Sequence, residues 1–400
     1  MKSSVVLSLE IEDLSVAVKE LAAGIREKIT LDKSAVGIVY SDADVDVGEL
    51  GDRLHKELGI EIVGLTMTAL IERNNGYCGM GIVLTVITGD DVCFAVGSAG
   101  GLDKDNYSEC IRDAYANARA GLEQDPKLII LCCPYIADLG CESYMEVLDE
   151  ASGQVPVFGG VASDNHNLRQ QKTFHNGVAF ADGVAFVLVS GNIKPAFCLK
   201  NHFSRKIERK SVITKSSAHV VERVDDKTFK EYFSEIIPVP TEETAFYPFL
   251  STPFVLEFPD YVQTEQPVVR ALSSINHQTG EGCFLAKMPE GTKLSINMLQ
   301  REDLSASCAD TLDDFIEKVR QTKDYEYTTI LMSTCNVRHL LMGATKDMEA
   351  KIVAEKLSDF GPELNAVGFY GFGEVCPTLS NEDGRSKNRF HNVSFALCAF

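Results

Sequence analysis

The sequence has no tryptophan, no C-x-x-C pair and no apolar run long enough to cross a bilayer. A membrane-spanning helix needs about 18 apolar residues. The N-terminal run Val5 to Leu9 is ended at once by Glu10, Glu12 and Asp13. It is also too short for the apolar segment of a signal peptide, so a cytoplasmic location without membrane insertion is expected. Cations are scarce: 38 Lys and Arg stand against 58 Asp and Glu, a formal charge of −20. A chain without excess cation releases few counterions from a phosphate backbone, which argues against nucleic-acid binding as its main task. The one basic cluster, Lys200 to Lys215, reads as a solvated strand face. The 12 cysteines lack framework or metal-ligand spacing and read as reduced cytosolic thiols, giving neither a disulfide scaffold nor a zinc site.

What is present folds. Hydrophobic residues make up 45% of 400 residues, enough for two domains with sizeable cores. Apolar spacing predicts a first helix over Ser15–Ile29, a strand over Ala35–Tyr40 and a helix over Val47–Leu58. Asp42, Asp44 and Asp46 alternate like the opening of a calcium loop, but Val47 stands in the glycine slot and Arg53 where the closing Glu belongs. Capping of the following helix is the better reading.

Three segments share one order of elements: Ala35–Gly89, Lys127–Gly191 and Tyr327–Phe400. Each opens on an apolar strand, passes through a helix to a second strand ending in small residues, and adds a third strand. Strand-helix-strand order implies parallel pairing with a right-handed crossover, and the added strand should run antiparallel. The expected fold is α/β, two domains with mixed, largely parallel sheets built from repeated strand-helix-strand-strand units. The boundary is placed near Val224, giving residues 1–224 and 225–400. Between the second and third segments, short strands are expected over 211–223, 268–273, 283–287 and 293–298, with helices over 226–236 and 303–320. The polar stretch Cys376 to Lys387 reads as an exposed loop.

Ligands in α/β folds collect where strand ends and helix N-termini converge. Candidate site residues therefore lie at strand ends: Gly159, Gly160 and Asp164; Cys335 and Arg338; Tyr370 and Glu374. Gly159–Gly160 lacks both G-x-G-x-x-G spacing and a following Lys-Ser/Thr, so the small residues there are read as allowing a ligand or a strand to approach. Arg338 is a candidate carboxylate clamp, paired with Glu374 for an amino-acid zwitterion. Cys335 or Cys132 could serve a hydrolase or transferase, yet no base or oxyanion hole accompanies either. Arg389, His391 and Asn392 stand at the mouth of the apolar run Val393–Phe400, and His391 beside that layer could face a haem.

These motifs resemble the FIST proteins, a family of intracellular sensory modules. The resemblance rests on Gly368, Phe369, Tyr370, Gly373 and Glu374, then Phe390, His391 and Asn392, with Cys335, Arg338 and Gly343 upstream. Gly-Gly-x-Ala-x-Asp at Gly159–Asp164, Arg270 in V-R-A-L, and the G-E-G turn at Gly280 and Gly282 are also similar to the family. Two features depart from it: the first segment reads V-G-L-T-M-T-A-L-I-E where the family favours a Gly-containing turn, and Phe203 replaces a common tryptophan. The resemblance implies a FIST N-terminal-like domain followed by a C-terminal-like one. It further implies a small-ligand sensor, with amino acids among the ligands, working with a histidine kinase, a chemotaxis receptor or a cyclic-dinucleotide enzyme. Some similar members are haem-binding nitric oxide sensors, which keeps haem as an alternative to no cofactor. No kinase-like or receptor-like stretch is visible, so output is expected to pass through a separate partner.

Overall fold

A computed structural model describes residues 1–136, 139–165, 169–207, 209–239, 249–260, 266–379 and 386–400. It is an α/β fold in which three six-stranded sheets share one strand order. At the centre of each lies one parallel pair: Ser34–Asp42 with Glu61–Met67, Leu128–Cys133 with Val157–Val161, and Thr329–Cys335 with Asn365–Gly371. Beside the first strand of each pair runs an antiparallel strand, respectively Ile82–Gly89, Val184–Gly191 and Phe395–Ala399. Outside that lies an edge strand, respectively Lys2–Ser8, Val92–Ala99 and Ala196–Leu199.

The far side of each sheet is completed by a hairpin from another segment. The hairpin of Thr173–His175 and Val178–Phe180 closes the first sheet. That of Glu374–Leu379 and Ser386–His391 closes the second. That of Leu70–Glu72 and Gly76–Cys78 closes the third. Each segment thus lends a hairpin to a neighbour in a closed cycle. The expectation of largely parallel sheets holds only at the central pairs, because the lent hairpins and edge strands all pair antiparallel. The expected loop from Cys376 is likewise corrected: residues 374–379 form a strand against 386–391, and 380–385 lie outside the described residues.

The strands are apolar on both faces because both faces are covered. Val36, Ile38 and Tyr40 of the first sheet meet Leu128 and Ile130 of the second and Leu331 and Val367 of the third in one inner core. Alternate residues point outward and meet helices. On the first sheet these are α1 (Leu14–Lys28) and α2 (Val47–Leu58); on the second, α3 (Tyr107–Ala120) and α4 (Cys141–Ser152). Residues between 205 and 298 form a nine-stranded sheet with α5 (Phe229–Ser234) around its own aromatic core. The third sheet is covered by α6 (Arg301–Gln321), α7 (Asn336–Met342) and α8 (Met348–Lys356).

Local sequence fixes the helix starts. Asp13 accepts from the amides of Ser15 and Val16, and Asp46 from those of Gly48 and Glu49. Such caps contribute about 1 kcal/mol each. Asp46 therefore does what the capping reading required. Asp42 is buried, with its carboxylate accepting from the Asp44 amide. No described helix is long and apolar enough to cross a membrane.

Candidate functional site

The second strands of the three parallel pairs end against one another. Ser163 N–H donates to Thr66 O at 2.8 Å, Thr68 N–H to Tyr370 O at 3.2 Å, and Val161 N–H to Gly373 O at 3.0 Å. Backbone bonds thus join each pair of sheets, and Tyr370 N–H to Ala69 O and Phe372 N–H to Val161 O double two of the junctions. Side chains repeat the linkage: Asn336 Nδ2 donates to Thr68 Oγ1 at 2.7 Å, and Thr68 and Ser163 hydroxyls lie 3.1 Å apart. Ser163 Oγ then donates to Tyr370 O at 2.7 Å. The Oδ1 of Asn336 is buried without a protein partner.

Above this junction opens a cleft of about 520 Å³. Its polar residues are Thr68, Tyr77, Asn165, His339 and Lys346; Leu9, Gly79 and Met80 complete it. Thr68 follows the end of a first-sheet strand, Asn165 that of a second-sheet strand, and His339 sits in α7 just beyond a third-sheet strand. Tyr77 arrives on the hairpin lent to the third sheet. The Tyr77 hydroxyl meets His339 Nε2 at 2.9 Å. The His339 ring lies 4.9 Å from that of Tyr370, so aromatic rings back the cleft.

The three predicted strand-end groups do come together, but inside the core. Asp164, Cys335, Arg338, Tyr370 and Glu374 are all buried, while their chain neighbours Asn165 and His339 reach the cleft. Gly159 and Gly160 serve strand packing: a Cβ at Gly159 would lie 1.9 Å from Leu131 O, and one at Gly160 2.5 Å from Ser333 Oγ. Asp164 Oδ2 accepts from the amides of Arg169 and Gln170 at 2.6 and 2.5 Å.

Arg338 is not free to hold a ligand carboxylate as the clamp with Glu374 requires. Its guanidinium binds Glu349 Oε1 through Nε at 2.8 Å and Nη2 at 2.5 Å, and also reaches Ser307 Oγ, Leu304 O and Val393 O. Glu349 in turn accepts from the Tyr370 hydroxyl at 2.8 Å. A guanidinium engaged in this way has no free edge for a ligand carboxylate. Glu374 Oε2 accepts from Ser394 N–H at 3.0 Å, and its carboxyl lies beside the Cys335 thiol. Burial pushes the Glu374 carboxyl well above the usual carboxylate range.

Arg270 is a second buried structural arginine. It binds Glu142 Oε1 at 2.7 Å and Phe390 O at 2.7 Å, tying the nine-stranded sheet to α4 and the lent hairpin. Arg389 lies over the Phe258 ring and 3.5 Å from Asp260. Asn392 holds the nine-stranded sheet: its N–H donates to Val269 O at 3.1 Å and its Oδ1 accepts from Ala271 N–H at 3.4 Å.

A haem at His391 does not fit. The imidazole is fully buried, Nε2 meets Cys376 O at 3.2 Å, and burial pushes its pKa down to about 3. An axial ligand needs a ring nitrogen facing an open apolar slot, and His391 lines none of the described clefts. The other F-H-N histidine, His175, spans Ser98 Oγ and Glu61 Oε2 at 2.9 and 2.6 Å. Cys132 and Cys335 are buried, and burial pushes both thiols up, away from the reactive thiolate.

The cleft residues Thr68, Tyr77 and Lys346 were not anticipated from sequence. The signal for Thr68 lay in the order shared by the three segments, since it follows the first strand end as Ser163 follows the second. Tyr77 carried none, because its role depends on the hairpin exchange.

Residues 35–227 match the FIST N domain and residues 229–377 the FIST C domain. No curated protein sequence matches the chain significantly. Among solved structures, a cyanuric acid hydrolase from A. caulinodans aligns over 99% of this chain and 98% of its own, at 10% identity and a TM-score of 0.34. PurLQS from Thermotoga maritima aligns over 100% of this chain and 72% of its own, at 9% identity and a TM-score of 0.19. Likenesses this distant bear on neither activity nor ligand.

Proposed function

We propose that this chain, which belongs to the FIST family, is a cytoplasmic sensing module that binds a small metabolite, an amino acid or a compound of similar size. FIST domains are sensor-type domains of signalling proteins. The observation that carries the reading is the origin of the cleft: Thr68, Asn165 and His339 come from three different sheets. A ligand touching all three favours one arrangement of the sheets over another, and only such differential affinity shifts a two-state equilibrium. Output then passes to a separate partner, of the histidine kinase, chemotaxis receptor or cyclic-dinucleotide enzyme type.

Thermal-shift screening of a broad metabolite set against wild type and His339→Ala tests the proposal. A ligand at 100 times its Kd stabilises by about 2.7 kcal/mol, well within reach of the method. Stabilisation of wild type that is lost in His339→Ala supports the cleft. Equal stabilisation of both proteins, or none by any compound, rejects it.

A further inference from the structure

Charged, polar and apolar groups line the cleft together. Lys346 is exposed and forms no ion pair among the described residues. Tyr77 and Asn165 share the lining. Leu9 and Met80, also in the lining, are 68% and 62% exposed, two of the four exposed large apolar side chains in the described residues. Asp164, next to Asn165 in the chain, accepts from the Arg169 and Gln170 amides, and Glu349 accepts from Arg338 and Tyr370.

We infer that the cleft takes a small carboxylic acid with an apolar tail and no ammonium group, a branched-chain 2-oxo acid being the type compound. The inference rests on the proposed reading of the cleft as the ligand site. Lys346 is the counter-charge for the carboxylate, and a cation there also offsets the repulsion that a chain of charge −20 exerts on an approaching anion. The 2-oxo group accepts from the Tyr77 hydroxyl or the Asn165 amide. The tail lies between Leu9 and Met80 and removes them from water. An ammonium in the place of the oxo group meets Lys346, and no Asp or Glu stands among the residues that line the cleft to balance it.

Methyl NMR of the full chain, labelled at Met and Leu methyl groups, tests this with 4-methyl-2-oxopentanoate and L-leucine as matched probes. The oxo acid is expected to shift the Leu9 and Met80 signals and to bind at least tenfold tighter than leucine. Lys346→Gln should lose at least tenfold in that affinity, and Lys346→Arg should keep most of it. Leucine binding as tightly, with the same two residues shifted, overturns the acid class and leaves the cleft in place. If neither probe moves those signals the acid class also falls. The cleft reading falls with it only when a metabolite that stabilises the protein leaves them unmoved.

Discussion

The Tyr77 hydroxyl lies 2.9 Å from Nε2 of His339, a partner 262 residues further along the chain. The contact exists because the Leu70–Glu72 and Gly76–Cys78 hairpin leaves its own segment and pairs with the Asn365–Gly371 strand. It therefore joins the first and third segments at the wall of the cleft. Tyr77→Phe keeps the ring packing and removes one hydrogen bond, so stability should fall by about 1 kcal/mol. Ligand affinity should fall several-fold as well, because the ring of His339 loses its anchor. Urea denaturation and ligand titration of the variant measure the two effects. Unchanged affinity with lowered stability would leave the bond purely structural.

Arg338 and Glu349 form a fully buried ion pair. Removing one member of such a pair costs about 3–5 kcal/mol, because the other is left charged and unpaired. Arg338→Ala should therefore destabilise the whole fold. A direct role in ligand binding predicts a different result, a stable protein that fails to bind. The double variant Arg338→Met, Glu349→Leu should recover much of the loss, since apolar replacement of both partners is often neutral. Denaturation midpoints of the three proteins decide between these outcomes.

Much of this arrangement was legible in the sequence. The parallel strands follow from apolar spacing, α1 and α2 from apolar spacing and acidic caps, and the three segments from their shared order. The helix α3 was missed, although Ile111, Ala114, Tyr115 and Ala118 carry the 3.6-residue period of its buried face. Arg338, placed at a strand end by the sequence, lies in α7, which is only seven residues long and begins directly after a strand. Its partner Glu349 opens the next helix, and no periodicity reports that a charge pair will be enclosed. The hairpin exchange left no local trace, since each lent strand is only three to six residues long. Consequently the strand-end logic found the right region and stopped one residue short of the cleft at Asp164 and Arg338.

Twelve cysteines offer an internal comparison of reactivity. Cys132 and Cys335 are buried and their thiols are pushed up, whereas Cys93 is exposed. Iodoacetamide at neutral pH should label Cys93 among the first and leave Cys132 and Cys335 unmodified until the protein unfolds. Peptide mapping by mass spectrometry gives the rates. Cys132 or Cys335 reacting ahead of Cys93 in the native protein would reopen the case for a thiol-dependent enzyme.

His391 and Glu374 face each other across the lent hairpin and should bend the pH dependence of stability in opposite directions. Burial, aided by Arg270 and Arg389, pushes His391 from an ordinary value of 6.5 down to about 3. Between those values the unfolded chain binds a proton that the folded chain refuses, so stability falls as pH falls through this window. The slope approaches about 1.4 kcal/mol per pH unit. Glu374 is raised by burial, so above the ordinary carboxylate value the unfolded chain releases a proton that the folded chain keeps. That contribution is fully present at low pH and is lost as pH rises towards the folded value. His391→Gln should therefore flatten the acid side of the stability profile. Glu374→Gln, which imitates the neutral carboxyl, should gain stability relative to wild type more at pH 8 than at pH 5. Urea denaturation of the three proteins from pH 4.5 to 8 provides the slopes. A Glu374→Gln difference that is constant across this range would mean that Glu374 is ionised in the folded protein.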